Sequence, residues 1–273
     1  MLLSMESGVS ALDQFQQELN VLGNNIANVD TVGFKSANVE FADALSQTVG
    51  TNAAGVEQVG TGVTTSSIAD NFAPGSFTNT GVATNMAING NGFFMVKDPS
   101  SGEEYVTRDG NFTVNASGFL VTSQGMIVQG YTDATNTTIG NIQVTNANSP
   151  GGDTSPIQNY AFNSSGQLNV TLTDGTQYVG GQVLLQNFVS PTQLSSVGGN
   201  LYTGMANAGA LAAPLAPGSN GLGAIVTSAL ELSNVDLASQ LTSLITTQRA
   251  YEANAKVITT SDEILQDLVN LGH

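Results

Sequence analysis

The side chains that could do covalent or acid–base chemistry are few and badly placed for it. His273 is the sole histidine and occupies the last position, so a Ser-His-Asp relay has no base in the body of the chain. Cysteine is absent, which removes thiol nucleophiles, disulfides and thiolate-held metals. Glu103 and Glu104 are adjacent, and on a strand they would point to opposite faces. The polar run Arg108-Asp109-Gly110-Asn111 has the form of a hairpin turn rather than an acidic site. Gly60-Thr61-Gly62 and Gly90-Asn91-Gly92 lack the third glycine of a dinucleotide loop, and neither a Lys-containing phosphate loop nor a calcium-loop spacing occurs. The expectation is a protein that is not an enzyme, with no catalytic, cofactor-binding or metal-binding residues and no cofactor.

Charge points away from polyanions as well. The net charge is −16, from 21 acids against 5 scattered bases, so the clustered cations that displace counterions from nucleic acid are missing. Anionic lipid would repel such a chain. No stretch reaches the roughly 18 apolar residues of a membrane helix, and Met1 to Phe15 has neither a basic leader nor a cleavage pattern. No nucleic-acid partner and no membrane insertion are expected.

What remains is architecture. Met5, Val9, Leu12, Phe15, Leu19, Leu22 and Ile26 recur at steps of three and four, one face of a helix. Near the other end, Leu237, Leu241, Leu244, Gln248, Tyr251, Ala255, Ile258, Asp262, Leu265 and Val269 alternate the same steps, a heptad seam with two polar interruptions. Ser233 is the expected N-cap, with Asp236 favouring the positive helix end. The middle is rich in Gly, Asn, Thr and Ser, with short alternating runs between turn dipeptides such as Asn89-Gly90, Asp109-Gly110 and Asp174-Gly175. The predicted fold class is α+β: N- and C-terminal helices paired as a coiled-coil-like terminal domain, and a central antiparallel all-β domain. The predicted divisions are 1–36 (N-terminal helix), 37–71 (linker), 72–203 (β domain), 204–230 (Ala/Pro/Gly-rich linker) and 231–273 (C-terminal helix).

Three ordered blocks carry a resemblance. The first is Gly23-Asn24-Asn25-Ile26-Ala27-Asn28-Val29-Asp30-Thr31-Val32-Gly33-Phe34-Lys35-Ser36. By itself it reads as a helix stop, with Asn28 and Asp30 bonding the last free backbone groups and Gly33 permitting a tight turn before Phe34. The second joins Met86 to Val96, including Gly90, Gly92 and Phe93, with Tyr105 to Phe112. The third runs from Leu232-Ser233-Asn234-Val235-Asp236-Leu237 through Gln248-Arg249-Ala250-Tyr251-Glu252-Ala253-Asn254-Ala255-Lys256. Together they resemble the signatures of the bacterial flagellar hook and rod (basal body) protein family.

The resemblance implies a subunit of a tubular helical polymer. Terminal helices would line the inner wall and the β domain the next layer out. Phe41-Ala42-Asp43-Ala44 and Asn254-Ala255-Lys256-Val257-Ile258 look like hook protein, the tube that transmits torque from rod to filament. The alternative is the distal rod protein, because the short 132–159 segment leaves no room for the extra outer domain that hook proteins usually carry. Implied partners are copies of itself, rod and hook–filament junction proteins, the hook cap and the flagellar type III export apparatus. The implied location is outside the inner membrane, extracellular for a hook and periplasmic for a rod. The residues expected to form the polymerisation seam are Met5, Val9, Leu12, Leu19, Ile26, Leu237, Leu241, Leu244, Tyr251, Ile258 and Leu265. A narrow seam buries little alone, so the ends are expected to be largely disordered in the monomer and completed by assembly.

Overall fold

The computed structural model describes residues 2–52, 55–133, 138–149, 152, 155–211 and 213–271. The chain is α+β and divides into two compact units. The first comprises Met1–Val29, Lys35–Asn71 and Val235–His273, and the second Asp30–Phe34 and Phe72–Asn234.

The first unit is built around the N-terminal helix, Leu2–Ala27. No proline interrupts it, and its end is set by asparagine chemistry: the Asn28 side-chain amide donates to the Asn24 carbonyl at 2.9 Å, and the Asn28 backbone N–H follows at 3.2 Å. The C-terminal helix, Leu237–Leu271, packs along it. Gly8 is buried where the two meet, and a Cβ there would lie 3.2 Å from Ile258 Cγ1. The missing side chain therefore permits close helix approach, at a helix-propensity cost of about 1 kcal/mol relative to Ala.

The C-terminal helix starts at Leu237, four residues after Ser233, the expected cap. Asp236 is the cap instead: its Oδ1 accepts from the N–H groups of Ala238 at 2.9 Å and Ser239 at 3.4 Å. A carboxylate there satisfies orphan donors and meets the positive end of the helix dipole.

Residues 37–71, expected as a linker, form four strands: β1 (Ala37–Asp43), β2 (Ser46–Asn52), β3 (Gly55–Gly60) and β4 (Val63–Asp70). β1 pairs with β4 and β2 with β3, both antiparallel. β1 and β4 pack on the N-terminal helix. Their contacts are partly polar, which is why apolar alternation did not reveal them. Thr65 Oγ1 bonds Gln17 at 2.7 Å and also Gln14, while the Val63 N–H donates to Ser10 Oγ at 3.3 Å. Phe15 meets Phe41 edge-on at 6.2 Å, a lone aromatic anchor in this layer.

The second unit is an antiparallel β domain. Its strands are β5 (Phe77–Asn79), β6 (Met86–Asn89), β7 (Phe93–Lys97), β8 (Glu104–Thr107), β9 (Thr113–Val114), β10 (Leu120–Val121), β11 (Ile127–Tyr131) and β12 (Ile139–Asn141). They continue with β13 (Ile157–Phe162), β14 (Gln167–Leu172), β15 (Gln177–Val183), β16 (Leu185–Gln186), β17 (Ser195–Gly198) and β18 (Leu201–Thr203). The last two are β19 (Ala224–Thr227) and β20 (Ala229–Glu231).

The main path of the large sheet runs β13-β14-β15-β11-β7-β8-β18-β17. Two pairs lie outside this sheet, β19 with β6 and β20 with β5. The segment 204–230, expected as a linker, thus supplies β19 and part of β20, whose partners lie far back in sequence. β7 shows why both faces of this sheet are covered. Phe94 and Val96 enter the main core with Ile88, Phe112, Leu120, Val128 and Leu168, while Phe93 and Met95 enter a second cluster with Phe188 and Tyr202. Strand alternation sends successive side chains to opposite cores, and each buried Phe contributes on the order of 1.5–3 kcal/mol.

Turn chemistry separates into two kinds. Asp174-Gly175 closes the β14–β15 hairpin, with Gly175 at φ +88°. Asp109-Gly110 does not close the hairpin expected of it, because β8 pairs with β7 and β18 while β9 pairs with β10. The Gly110 carbonyl accepts from Met86 N–H, and a Cβ on Gly110 would overlap the Met86 carbonyl. Glycine is needed there for close backbone approach, not for a positive φ.

Candidate assembly surfaces

On the C-terminal helix, the side turned toward the N-terminal helix differs in phase from the expected heptad. Gln240, Leu244, Thr247, Tyr251, Asn254, Ile258, Ser261 and Leu265 are among its buried or half-buried positions. Leu244, Tyr251, Ala255, Ile258 and Leu265 of the expected heptad are half-buried. The alternate positions are polar or small, and Gln248 and Asp262 are simply exposed. Leu237, Leu241 and Val269 of the expected seam are 43%, 48% and 63% exposed, and Ile245 is 57% exposed. On the N-terminal helix Met5, Leu12, Leu19 and Ile26 are half-buried, whereas Val9 is exposed. The physical reason is that the intrachain seam needs small or hydrogen-bonding groups for close approach. Leu237, Leu241 and Ile245 flank it as an apolar row that is about half exposed.

The first-block asparagines are part of this packing. Asn25 is fully buried and clamps three elements: its amide donates to the Ala37 carbonyl at 2.8 Å and to Gln240 Oε1 at 3.1 Å, and its Oδ1 accepts from Ala37 N–H at 3.0 Å. Asn24 supplies the carbonyl and the side-chain oxygen that Asn28 caps. Asn254 donates back to the Ala250 carbonyl at 3.0 Å, and Arg249, largely exposed, pairs with Glu252 at 2.9 Å. That last pair is worth little in water. Val235 is half-buried just ahead of the helix.

The other signature residues converge in the second unit. Gly33 holds φ +68°, donates its N–H to the Glu231 carbonyl at 2.8 Å, and would place a Cβ 2.8 Å from the Arg108 carbonyl carbon. Phe34 is half-buried, its N–H on the Thr31 carbonyl at 3.3 Å. Arg108, 2% exposed, lies 3.5 Å from fully buried Glu231, donates Nη2 to the Gly90 carbonyl at 2.9 Å, and stands 5.1 Å from the centre of the Phe93 ring. Burial pushes the Arg108 guanidinium below its usual range, and Glu231 opposes that push. Glu231 also accepts the Gly75 N–H at 3.0 Å. Gly90 and Gly92 hold φ +121° and +125°, and a Cβ on either would come within 2.9 Å of Gly223 or Leu222. Asn234 donates to the Ala73 carbonyl at 3.1 Å.

The Arg108–Glu231 pair escaped sequence reasoning because its partners are 123 residues apart. The available signal was the rarity of cations: Arg108 is one of five in the chain. Asp109, half-buried beside it, has its carboxyl pushed up by burial, partly offset by the Asn111 N–H it accepts. Among the described residues no group of three or more His, Asp or Glu could hold a metal, and no helix is long and apolar enough to cross a membrane. His273 lies outside the described residues.

Comparison with known proteins accounts for this arrangement. A family model described as flagella basal body rod protein matches residues 5–35. One described as flagellar hook protein FlgE/F/G D1 domain matches 87–170, and one described as flagellar basal body rod FlgEFG protein C-terminal matches 226–271. The flagellar basal-body rod protein FlgG of Bacillus subtilis (strain 168) is 38% identical over 279 residues, spanning 99% of each chain. The chain belongs to the flagellar hook and rod protein family. The hook/rod family is structural, so this chain is an axial component of the flagellum and not an enzyme. FlgG of Caulobacter vibrioides is 37% identical over 277 residues, 96% of this chain and 97% of that one. The flagellar hook protein FlgE of Helicobacter mustelae is 41% identical, but over 140 residues, 48% of this chain and 31% of that protein. The expectation of a hook protein is thus weaker than its alternative.

Proposed function

We propose that this chain is the distal rod subunit of the flagellar basal body, polymerising with its own copies into a rigid tubular drive shaft. The observation that carries the reading is end-to-end similarity to rod proteins, 99% of both chains at 38% identity, against a hook match that stops at about half of this chain. The short segment at 132–159, part of which lies outside the described residues, agrees in leaving little chain for an added outer domain.

In this reading the two terminal helices act as a coiled-coil-like pair, and neighbouring copies cover the apolar row at Leu237, Leu241 and Ile245. Val9, Leu237 and Leu241 then belong to contacts between copies. Met5, Leu12, Leu19, Ile26, Leu244, Tyr251, Ile258 and Leu265 hold the two helices of one copy together. Other axial proteins would adjoin the polymer, the type III export apparatus would deliver the chain, and the assembled part would stand in the periplasm. Electron micrographs of purified chain assembled in vitro test it. Straight tubes are expected. Curved or supercoiled tubes favour the hook instead, and globular particles alone count against both.

A further inference from the structure

The second unit carries an open cavity that none of its described residues fills. It encloses about 530 Å³, within the range of ligand and anchor pockets. Phe93 and Phe188, 1% and 3% exposed, lie in contact at its base with ring centres 5.6 Å apart, and Phe72 meets Phe93 at 5.2 Å. Two of its lining residues are apolar and turned to solvent: Val189 is 70% and Leu211 58% exposed. Arg108 forms part of the wall, and its Nε–H has no hydrogen-bond partner although the residue is 2% exposed. An apolar opening over buried aromatic rings marks a docking site more often than an ordinary surface. The charge of Arg108 is already matched by Glu231, but its unpartnered Nε–H favours an apolar group flanked by a hydrogen-bond acceptor such as a carboxylate.

The same sequence presents such a group. Leu45, at 90%, is the most exposed large hydrophobic side chain among the described residues, and exposed Asp43 precedes it by two positions. Both belong to the first unit. Resting on the polymer reading above, we propose that Leu45 of one copy inserts over Phe93 and Phe188 of the next, with Asp43 on the Arg108 side of the cavity. A knob and a pocket at different places on one chain make a heterologous contact. Each copy gives one and receives one, so the contact propagates along an open helix instead of closing a dimer. The chain would therefore carry in its β domain a polymer contact separate from the helical row.

The absence of cysteine makes the test direct. Chains carrying only Leu45→Cys are mixed with chains carrying only Val189→Cys, assembled and oxidised. A disulfide forms only where Cα atoms come within about 7 Å, and in this mixture a mixed disulfide can join only different copies. The expected result is a two-chain band from the mixture. Leu45→Cys mixed with Ile139→Cys, a β12 site 46% exposed, gives none. Pelleted tubes without the mixed band overturn this contact and leave the polymer reading intact, whereas wild-type chain that never pellets overturns both. Leu45→Asp gives an independent readout. Its circular dichroism as a monomer is expected to match wild type, while its critical concentration for assembly rises roughly thirtyfold, the loss that marks an interface anchor. An unchanged critical concentration counts against the proposal.

Discussion

Replacing Glu231 with Ala breaks the buried Arg108–Glu231 ion pair of the β unit. Glu231 is fully buried and Arg108 2% exposed, so the change leaves a guanidinium with the Gly90 carbonyl and the face of Phe93 as its remaining partners. It also strips the Gly75 N–H of its acceptor. At the observed separation of 3.5 Å and an effective dielectric near 20, the lost attraction is about 5 kcal/mol. Mutational experience with one-sided removal of buried pairs gives about 3–5 kcal/mol. For a unit of this size that corresponds to a fall in melting temperature of roughly 6–20 °C. Urea unfolding of monomeric chain, followed by circular dichroism, reads the effect. The double variant Arg108→Met/Glu231→Gln removes both charges, so it is expected to lose clearly less than the sum of the two single changes. A Glu231→Ala chain within about 1 kcal/mol of wild type, or strictly additive single variants, refutes the reasoning.

Leu244→Asp and Ile245→Asp separate packing within a chain from packing between chains. The first puts a carboxylate into the half-buried seam, at a cost of several kcal/mol, and is expected to loosen the helix pair and prevent assembly while β-unit unfolding stays unchanged. The second lies on a 57% exposed site and is expected to leave monomer stability within about 0.5 kcal/mol of wild type yet still block pelleting; normal tubes from it would falsify the neighbour contact. Gly33→Ala forces a Cβ onto a left-handed residue 2.8 Å from the Arg108 backbone, and a loss of at least 1–3 kcal/mol is expected in denaturant unfolding. Asp109 has its folded pKa raised above 3.8 by burial, so the native state holds more protons than the unfolded one between 3.8 and that raised value. Its contribution to stability falls as pH rises through this window. Asp109→Asn keeps the acceptor for Asn111 and is expected to raise the unfolding midpoint near neutral pH. The gain vanishes below pH 3.8, and a gain of equal size at both pH values contradicts the assignment.

The helices were legible because nothing breaks their three-and-four spacing, and because the Asn-rich stop at Asn28 and Gly33 has local chemistry. The phase of the C-terminal helix was not. Leu244, Tyr251, Ile258 and Leu265 of the expected heptad are half-buried while Leu237, Leu241 and Val269 are exposed, because the intrachain face alternates its apolar groups with polar ones that no apolar rhythm marks. β1 and β4 were hidden because part of what they present to the helix is polar, with Thr65 and the Val63 N–H bonded to Gln14, Gln17 and Ser10, so the apolar alternation is incomplete. Turn dipeptides indicated where the chain bends but not what the bend joins. Asn89-Gly90 ends β6, whose partner is the remote β19, and Asp109-Gly110 separates β8 from β9, which pair with other strands and not with each other. The signature residues were recognisable by type and order, yet their physical role as the frame around Arg108 and Glu231 depends on contacts across more than a hundred residues.

Backbone amide exchange along Leu237–Leu265, compared between dispersed chain and sedimented polymer, probes whether the exposed row on the C-terminal helix is completed by neighbours. Protection there is expected to rise strongly on assembly, by far more than in β7 or β14, whose side chains are already covered. Equal protection of this helix in the two states would contradict the account.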